Sequence, residues 1–374
     1  MNPKSIAAAT LVVLTAGGLA SATMGGAARG ETCDASDGEC VLVPPTDAQA
    51  YHAAFPDFGG PEDYVERDRL EHFEDAAKRD VAWAYFSNNW FDGEIRFPTG
   101  AVELIDSEGT VPFIRLMARS GFRQGADPNF SMRSIARGDW DDQLTEWCED
   151  AADTGIPLLA EFGTEVNGFW FPWNGRWNGA GGYSWRDNAL YDGPESFQLA
   201  YRHIVDLCRE AGANDITWFF HVDVGGWPQA EWNDAWNYYP GDDYVDWIGL
   251  SDYGPQKPGQ PWESFHSRMD GFIYDLTGEL GTDKPLAVLE YGAAAAPSRT
   301  QQARKARWIS DAAKLVGEEH WPEIRALAYW HERWKNGNGS VSDLHMDSSP
   351  AVRSAYREAL AGDEFSSIAE FDER

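Results

Sequence analysis

Eight short apolar runs constrain the fold of this chain more than any other feature of its sequence. They lie near Tyr51–Pro56, Val81–Phe86, Val111–Met117, Pro157–Phe162, Ile216–Val222, Val245–Ser251, Leu286–Glu290 and Ile324–Trp330. Most are continuous rather than alternating, as in strands buried on both faces of a parallel sheet. Between them run helical patterns, eight in all. Pro61 with Glu62 and Asp63 opens one, continued by Leu70, Phe73 and Ala77. Leu144, Trp147, Cys148 and Ala151 mark another, stopped by Gly155. Phe197, Tyr201, Ile204, Val205 and Cys208 mark a third, stopped by Gly212. Eight strand–helix units predict a (β/α)8 barrel over residues 49–362, with its functional face at the C-terminal ends of the strands. The alternative, an open doubly wound sheet, would carry a glycine-rich phosphate loop after its first strand, and none is visible.

Two of the strands run into glutamate. The fourth leads to Glu165, followed at once by Asn167, Gly168, Trp170 and Trp173; the seventh ends on Glu290, then Tyr291 and Gly292. Indoles stack on the apolar faces of sugar rings, and a pair of carboxyl groups is what glycosidic cleavage needs. Each glutamate alone is explained as well by an ion pair on the barrel rim. Two at opposed strand ends, both beside aromatics, point to catalysis.

Three segments carry a resemblance to a known family: EVNGFWFPW at 165–173, YYPGDDYVDWIGLSDYG at 238–254 and KPLAVLEYG at 284–292, with YWHERW at 329–334 in support. Over roughly residues 50–360 the chain resembles glycoside hydrolase family 26, a barrel family of endo-β-mannanases with some mixed-linkage β-glucanases and β-1,3-xylanases. The resemblance implies a retaining endo-β-glycosidase, with Glu165 as acid/base and Glu290 as nucleophile. It implies further that Tyr253 holds the nucleophile, that Trp330 floors the sugar site, and that Trp170 and Trp173 lie near the cleft rim. Asn167, His221 and Asp223 are the polar candidates for reading sugar hydroxyls. The chain departs from the mannanase pattern at Thr164, where many members have histidine, and at His221–Asp223 after the fifth strand. Mannan is therefore the first expectation, with mixed-linkage β-glucan or β-1,3-xylan as alternatives. A non-catalytic carbohydrate-binding barrel is a further alternative, one that has no need of the glutamate pair.

Further candidates for the cleft wall are Trp83, Trp90, Arg115, Arg119 and the 174–194 loop, while Asp252 reads as a solvated rim residue. The 18 tryptophans and 14 tyrosines exceed what a core requires and suggest a ligand groove. Neither CxxC nor HExxH spacing occurs, so no metal site or cofactor is expected. With 61 acidic against 30 basic residues the chain carries −31 charges, which excludes a nucleic-acid footprint and leaves a polysaccharide as the expected partner of a monomer.

Residues 1–28 read as a secretory leader, with Lys4 ahead of an apolar, small-residue stretch. A secreted, extracellular protein without a membrane anchor follows. Residues 29–48 form a lead-in and 363–374 a short acidic tail. Cys33 and Cys40 suit a local disulfide; Cys148 and Cys208 suit either a bridge or two buried thiols. The scattered acidic surface, poor in lysine, suggests adaptation to salt. Removing counterions exposes its self-repulsion, so the melting temperature should climb as NaCl rises from millimolar toward molar. A flat thermal-denaturation series would show that the charge is no such adaptation.

Overall fold

In the computed structural model, which describes residues 39–373, all eight expected strands form and close on one another. They are β1 (Ala50–Phe55), β2 (Trp83–Asn89), β3 (Val111–Met117), β4 (Leu158–Phe162), β5 (Ile216–Asp223), β6 (Trp247–Tyr253), β7 (Leu286–Gly292) and β8 (Ile324–Trp330). Every neighbouring pair is parallel, and β1 pairs with both β2 and β8. The sheet is therefore a closed (β/α)8 barrel without a free edge.

Among the described residues seven longer helices cover it, α1 (Arg67–Ala77), α2 (Thr99–Ser107), α3 (Asp141–Thr154), α4 (Asp192–Glu210), α5 (Phe265–Leu280), α6 (Arg299–Gly317) and α7 (Pro350–Ala359), beside a single helical turn at Met132–Ile135. The apolar stripes read from the sequence are the faces they bury; α3 packs Leu144, Trp147, Cys148 and Ala151 inward and stops at Gly155, whose φ of 59° is cheap only for glycine. Ser264, Ser298 and Ser349 cap α5, α6 and α7 by accepting backbone N–H bonds.

The helical pattern departs from expectation in two places. The helix after β1 begins at Arg67 rather than Pro61. Residues 61–63 form a turn in which Glu62 takes a φ of 68° and sends its carboxylate to Ser87 and Arg115. Between β5 and β6 there is no α-helix, only two 3-10 turns at Glu231–Asn233 and Ala235–Tyr238. The segment is rich in tryptophan and asparagine and has no long apolar stripe to bury.

The residues expected as a lead-in and a tail are built into the base of the barrel. Cys40–Leu42 pairs antiparallel with Phe371–Glu373, and Phe365–Ser366 extends β1 in parallel. Leu42 donates its N–H to Thr217 Oγ1 and accepts from Trp247 Nε1, both at 2.8 Å, which fastens this ribbon to the starts of β5 and β6. Above it, five rings on five strands close a circle inside the barrel. Tyr51 meets Trp83, Trp83 meets Phe113, Phe113 meets Phe219, Phe219 meets Trp247, and Trp247 returns to Tyr51, at centroid distances of 4.7–6.3 Å.

Much of the tryptophan surplus is thus core rather than groove: Trp83, Trp90, Trp147, Trp173, Trp218 and Trp247 are all fully buried. Among the described residues no helix is long and apolar enough to cross a membrane. The expected leader lies outside them.

Cys148 on α3 and Cys208 on α4 are bridged, which resolves the open alternative in favour of a disulfide. Cys40 is not a free thiol, and its expected partner Cys33 lies outside the described residues. The Cys148–Cys208 bond closes a loop with a sequence separation of 60, and a loop of that size is worth about 2–4 kcal/mol on an entropic account. The Cys148→Ala/Cys208→Ala double variant should therefore melt several degrees lower, read by calorimetry, with the folded far-UV spectrum unchanged.

Candidate active site

The site follows from the two-residue period of strands. Two positions beyond the aromatic ring, the inward-facing side chains turn polar: Tyr85 follows Trp83, Arg115 follows Phe113, and His221 follows Phe219, with Glu161 on β4 and Ser251 on β6 at the same level. These five residues, all buried, form one connected layer. Glu161 accepts from the Tyr85 hydroxyl, lies 2.7 Å from His221 Nδ1 and lies 3.5 Å from Arg115 Nε. His221 Nε2 meets Ser251 Oγ at 2.8 Å.

Arg115 links this layer to the cleft above. Its guanidinium is 3% exposed and faces three carboxylates: Glu62 at 2.6 Å, Glu290 at 3.2 Å, and Glu161 below. It also lies over the rings of Tyr85 and Trp330, at 5.1 and 4.9 Å. Burial opposes the charge, but Glu290, Glu62 and Glu161 outweigh it and hold the guanidinium well above its ordinary pKa. For Glu161 burial likewise opposes ionisation. His221, then Arg115 and Tyr85, reverse the balance and bring the carboxyl below its usual range.

Glu290 arrives at the cleft from β7, one residue past a register shift against β6. Its Oε2 accepts from Tyr253 at 2.6 Å, while Oε1 faces Arg115 and makes no hydrogen bond. Glu165 sits in the turn after β4 with a φ of 47°, a left-handed conformation that costs a non-glycine residue on the order of 1 kcal/mol or more. The turn is held from three sides. Val166 N–H bonds to the His221 carbonyl, Gly168 N–H to the Glu165 carbonyl, and Trp170 Nε1 donates to Glu165 Oε2 at 2.6 Å.

Burial pushes both carboxyls up to about 8. At Glu290, Arg115 and the Tyr253 hydrogen bond oppose that rise while the Glu165 carboxyl adds to it. At Glu165, the Asp223 carboxyl, itself pushed up to about 6 by burial, adds to the rise, and the Trp170 and Ser251 hydrogen bonds oppose it.

Both open into a cleft of about 440 Å³, walled by Trp170, Phe171, Trp330 and Trp334 and edged by Glu62, Asp223, Tyr253, Gln256 and Glu332. Trp330 stacks on Phe55 at 4.2 Å and donates Nε1 to Glu332. A larger hollow of about 600 Å³ beside Trp262 and α6 holds none of these groups. Among the described residues, no triad of His, Cys, Asp or Glu with converging ligand atoms lies in the cleft.

Of the residues picked from sequence, Glu165, Glu290, Tyr253, Trp170 and Trp330 come together here. Trp173 does not reach the rim. It is fully buried, stacked behind Phe171 at 4.5 Å and bonded to the Thr164 carbonyl, so Phe171 takes the exposed place. Asn167 is turned to the backbone, its amide clamping both the N–H and the carbonyl of Asp223 at 2.8 Å. His221 lies beneath the cleft, with Thr164 Oγ1 2.9 Å from its Nδ1. Trp83 and Trp90 belong to the core, Arg119 braces Asn89, and the cleft lining includes no residue of the 174–194 loop. Asp252 is buried and bonded to Arg268 rather than solvated on the rim. The sequence gives no site role to Glu62, Glu161 or Glu332. Inward phase along β4, two residues at a time, was the signal available for Glu161.

The glycosyl hydrolase family 26 model matches residues 136–267, a segment that contains Glu165 and Tyr253. Endoglucanase H of Acetivibrio thermocellus is 29% identical over 229 residues, 60% of this chain and 22% of that protein. The β-1,3-xylanase TXYA of a Vibrio species is 21% identical over 262 residues, 64% of this chain and 51% of that one. This chain thus spans about half or less of the length of these relatives. Among solved structures, a double mutant of the Cellulomonas fimi endo-β-1,4-mannanase superposes with a TM-score of 0.57 at 18% identity, covering 89% of this chain and 73% of that one. In sequence over its central segment and in fold over most of its length, the chain resembles glycoside hydrolase family 26.

Proposed function

We propose that the protein is a secreted, retaining endo-β-glycosidase that cuts a β-linked polysaccharide, β-1,4-mannan first among them. The observation that carries this reading is the paired environment of Glu165 and Glu290 in one aromatic cleft. Glu290, ionised and aimed by Tyr253, attacks the anomeric carbon through Oε1 while Glu165 gives its proton to the departing glycosidic oxygen. The resulting ester removes the negative charge that had held Glu165 protonated. Its carboxyl then becomes the base that draws a proton from water, and the second displacement restores the starting configuration. Arg115 balances charge below the nucleophile throughout. Trp170 and Trp330 provide stacking faces for sugar rings.

Mixed-linkage β-glucan is the second reading. It is favoured by the endoglucanase name of the 29% identical relative and by the departures at Thr164 and His221 from the mannanase pattern.

Glu165→Ala and Glu290→Ala should each lose on the order of 10³-fold or more in kcat on mannan and mixed-linkage glucan, measured as reducing ends in high salt, with the melting temperature near that of the parent. Added azide should restore turnover of an activated aryl glycoside by Glu165→Ala. Oligosaccharides of mixed length should appear first. Release of monosaccharide alone, or parental rates in either variant, would overturn the reading.

The pH profile tests the division of labour. The Tyr253 hydrogen bond lowers the Glu290 pKa, so removing it raises that pKa. Tyr253→Phe should therefore shift the acidic limb of kcat/KM to higher pH and leave the alkaline limb, set by Glu165, nearly in place. An acidic limb that stays put would separate Tyr253 from the nucleophile.

A further inference from the structure

A second cluster of chemically active side chains lies away from the cleft, where α5 meets the turn between α6 and β8. His266 and Asp270 stand four residues apart on α5 and so share one face. His320 approaches from the turn. Its Nε2 is 3.4 Å from Asp270 Oδ1, and His266 Nε2 is 4.0 Å from the same oxygen. One ligand atom from each of the three residues lies within 4.8 Å of the other two.

Trp321 fixes the arrangement. Its Nε1 donates to Asp270 Oδ1 at 3.3 Å, and its ring packs against His320 and His266 at centroid distances of 4.6 and 5.8 Å. A group that orients a ligating carboxylate from outside is what metal sites characteristically add to their direct ligands. The Nε2 atoms of both imidazoles thus face one and the same carboxylate oxygen.

We propose that His266, Asp270 and His320 form a site for a divalent transition-metal ion of the zinc type. Two nitrogen donors and one oxygen donor suit such an ion, and water completes the coordination because all three side chains are open to solvent. The other histidine–aspartate group, His72, His331 and Asp347, lacks this property. His331 Nδ1 already accepts the Met346 N–H at 3.1 Å, which leaves the proton of the neutral ring on Nε2. The ion at His266 would tie α5 to the turn that leads into β8. Its binding is independent of the glycosidase reading.

The test is titration of the metal-free full chain with ZnCl2 in phosphate-free, high-salt buffer, followed by calorimetry and thermal melting. One equivalent should bind. The melting temperature should rise on the order of a few degrees at about a hundredfold excess over Kd. MgCl2 should do neither, since Mg2+ takes oxygen ligands. His266→Ala and His320→Ala should each abolish the binding and the shift while hydrolysis is unchanged. Asp270→Asn, which keeps the shape of the side chain, should weaken binding at least tenfold and serves if an alanine variant fails to fold. The proposal is overturned if zinc does not bind, if Mg2+ gives the same shift, or if the His266→Ala/His320→Ala double variant still takes up its equivalent.

Discussion

The pairing of Arg115 with three carboxylates is the interaction on which the rest of the site depends. A guanidinium at 3% exposure is tenable only where opposite charge surrounds it. Glu62 reaches it from the loop after β1, Glu161 from β4 and Glu290 from β7, so one side chain ties three distant parts of the chain together. Removing it would leave those carboxylates buried without a counter-charge, and breaking a buried pair in this way costs about 3–5 kcal/mol. Stability and reactivity are therefore coupled at this residue. The group that helps His221 to hold a buried Glu161 ionised also favours the charged form of Glu290.

The layers of the barrel divide the labour by height. At the base, the paired chain ends and the five-ring circle supply apolar packing. The middle layer is polar and internally connected, with His221 bonded through both ring nitrogens. The upper layer holds the Glu165 and Glu290 carboxyls, the Tyr253 hydroxyl and the open aromatic faces. On β2, β3 and β5 one step of two residues moves from the ring circle to the polar layer, as from Phe113 to Arg115. Asn167 shows the same economy sideways: its amide spans Asp223 and so fixes the turn that carries Glu165.

The strands and the two glutamates were legible because they follow from local rules: apolar runs of the right length, and acids at strand ends beside indoles. Strand limits agreed to within a few residues at every position. What stayed hidden depends on non-local partners. Arg115 lies in VPFIRLM and looks like an interruption of an apolar strand; only the inward phase of β3 and the carboxylates from elsewhere give it a role. Trp173 looked like Trp170, three residues earlier, because composition does not say which indole a tight turn rotates into the core. The missing helix after β5 and the docked tail were misread for a related reason. One short segment is stabilised by side-chain bonds to other loops, and the other by pairing with strands more than 300 residues away in sequence.

The five-ring circle also has an electrical consequence. It forms an apolar plug of five buried rings under Arg115 and Glu161. Charge in the polar layer is thus screened poorly on one side and by solvent or substrate on the other. Field lines that cannot spread downward are pushed toward the mouth. When a sugar chain displaces water from the cleft, that side becomes an insulator as well. In the proposed reaction, Arg115 would then act across the full depth of the site at the moment when charge moves between Glu290 and the sugar.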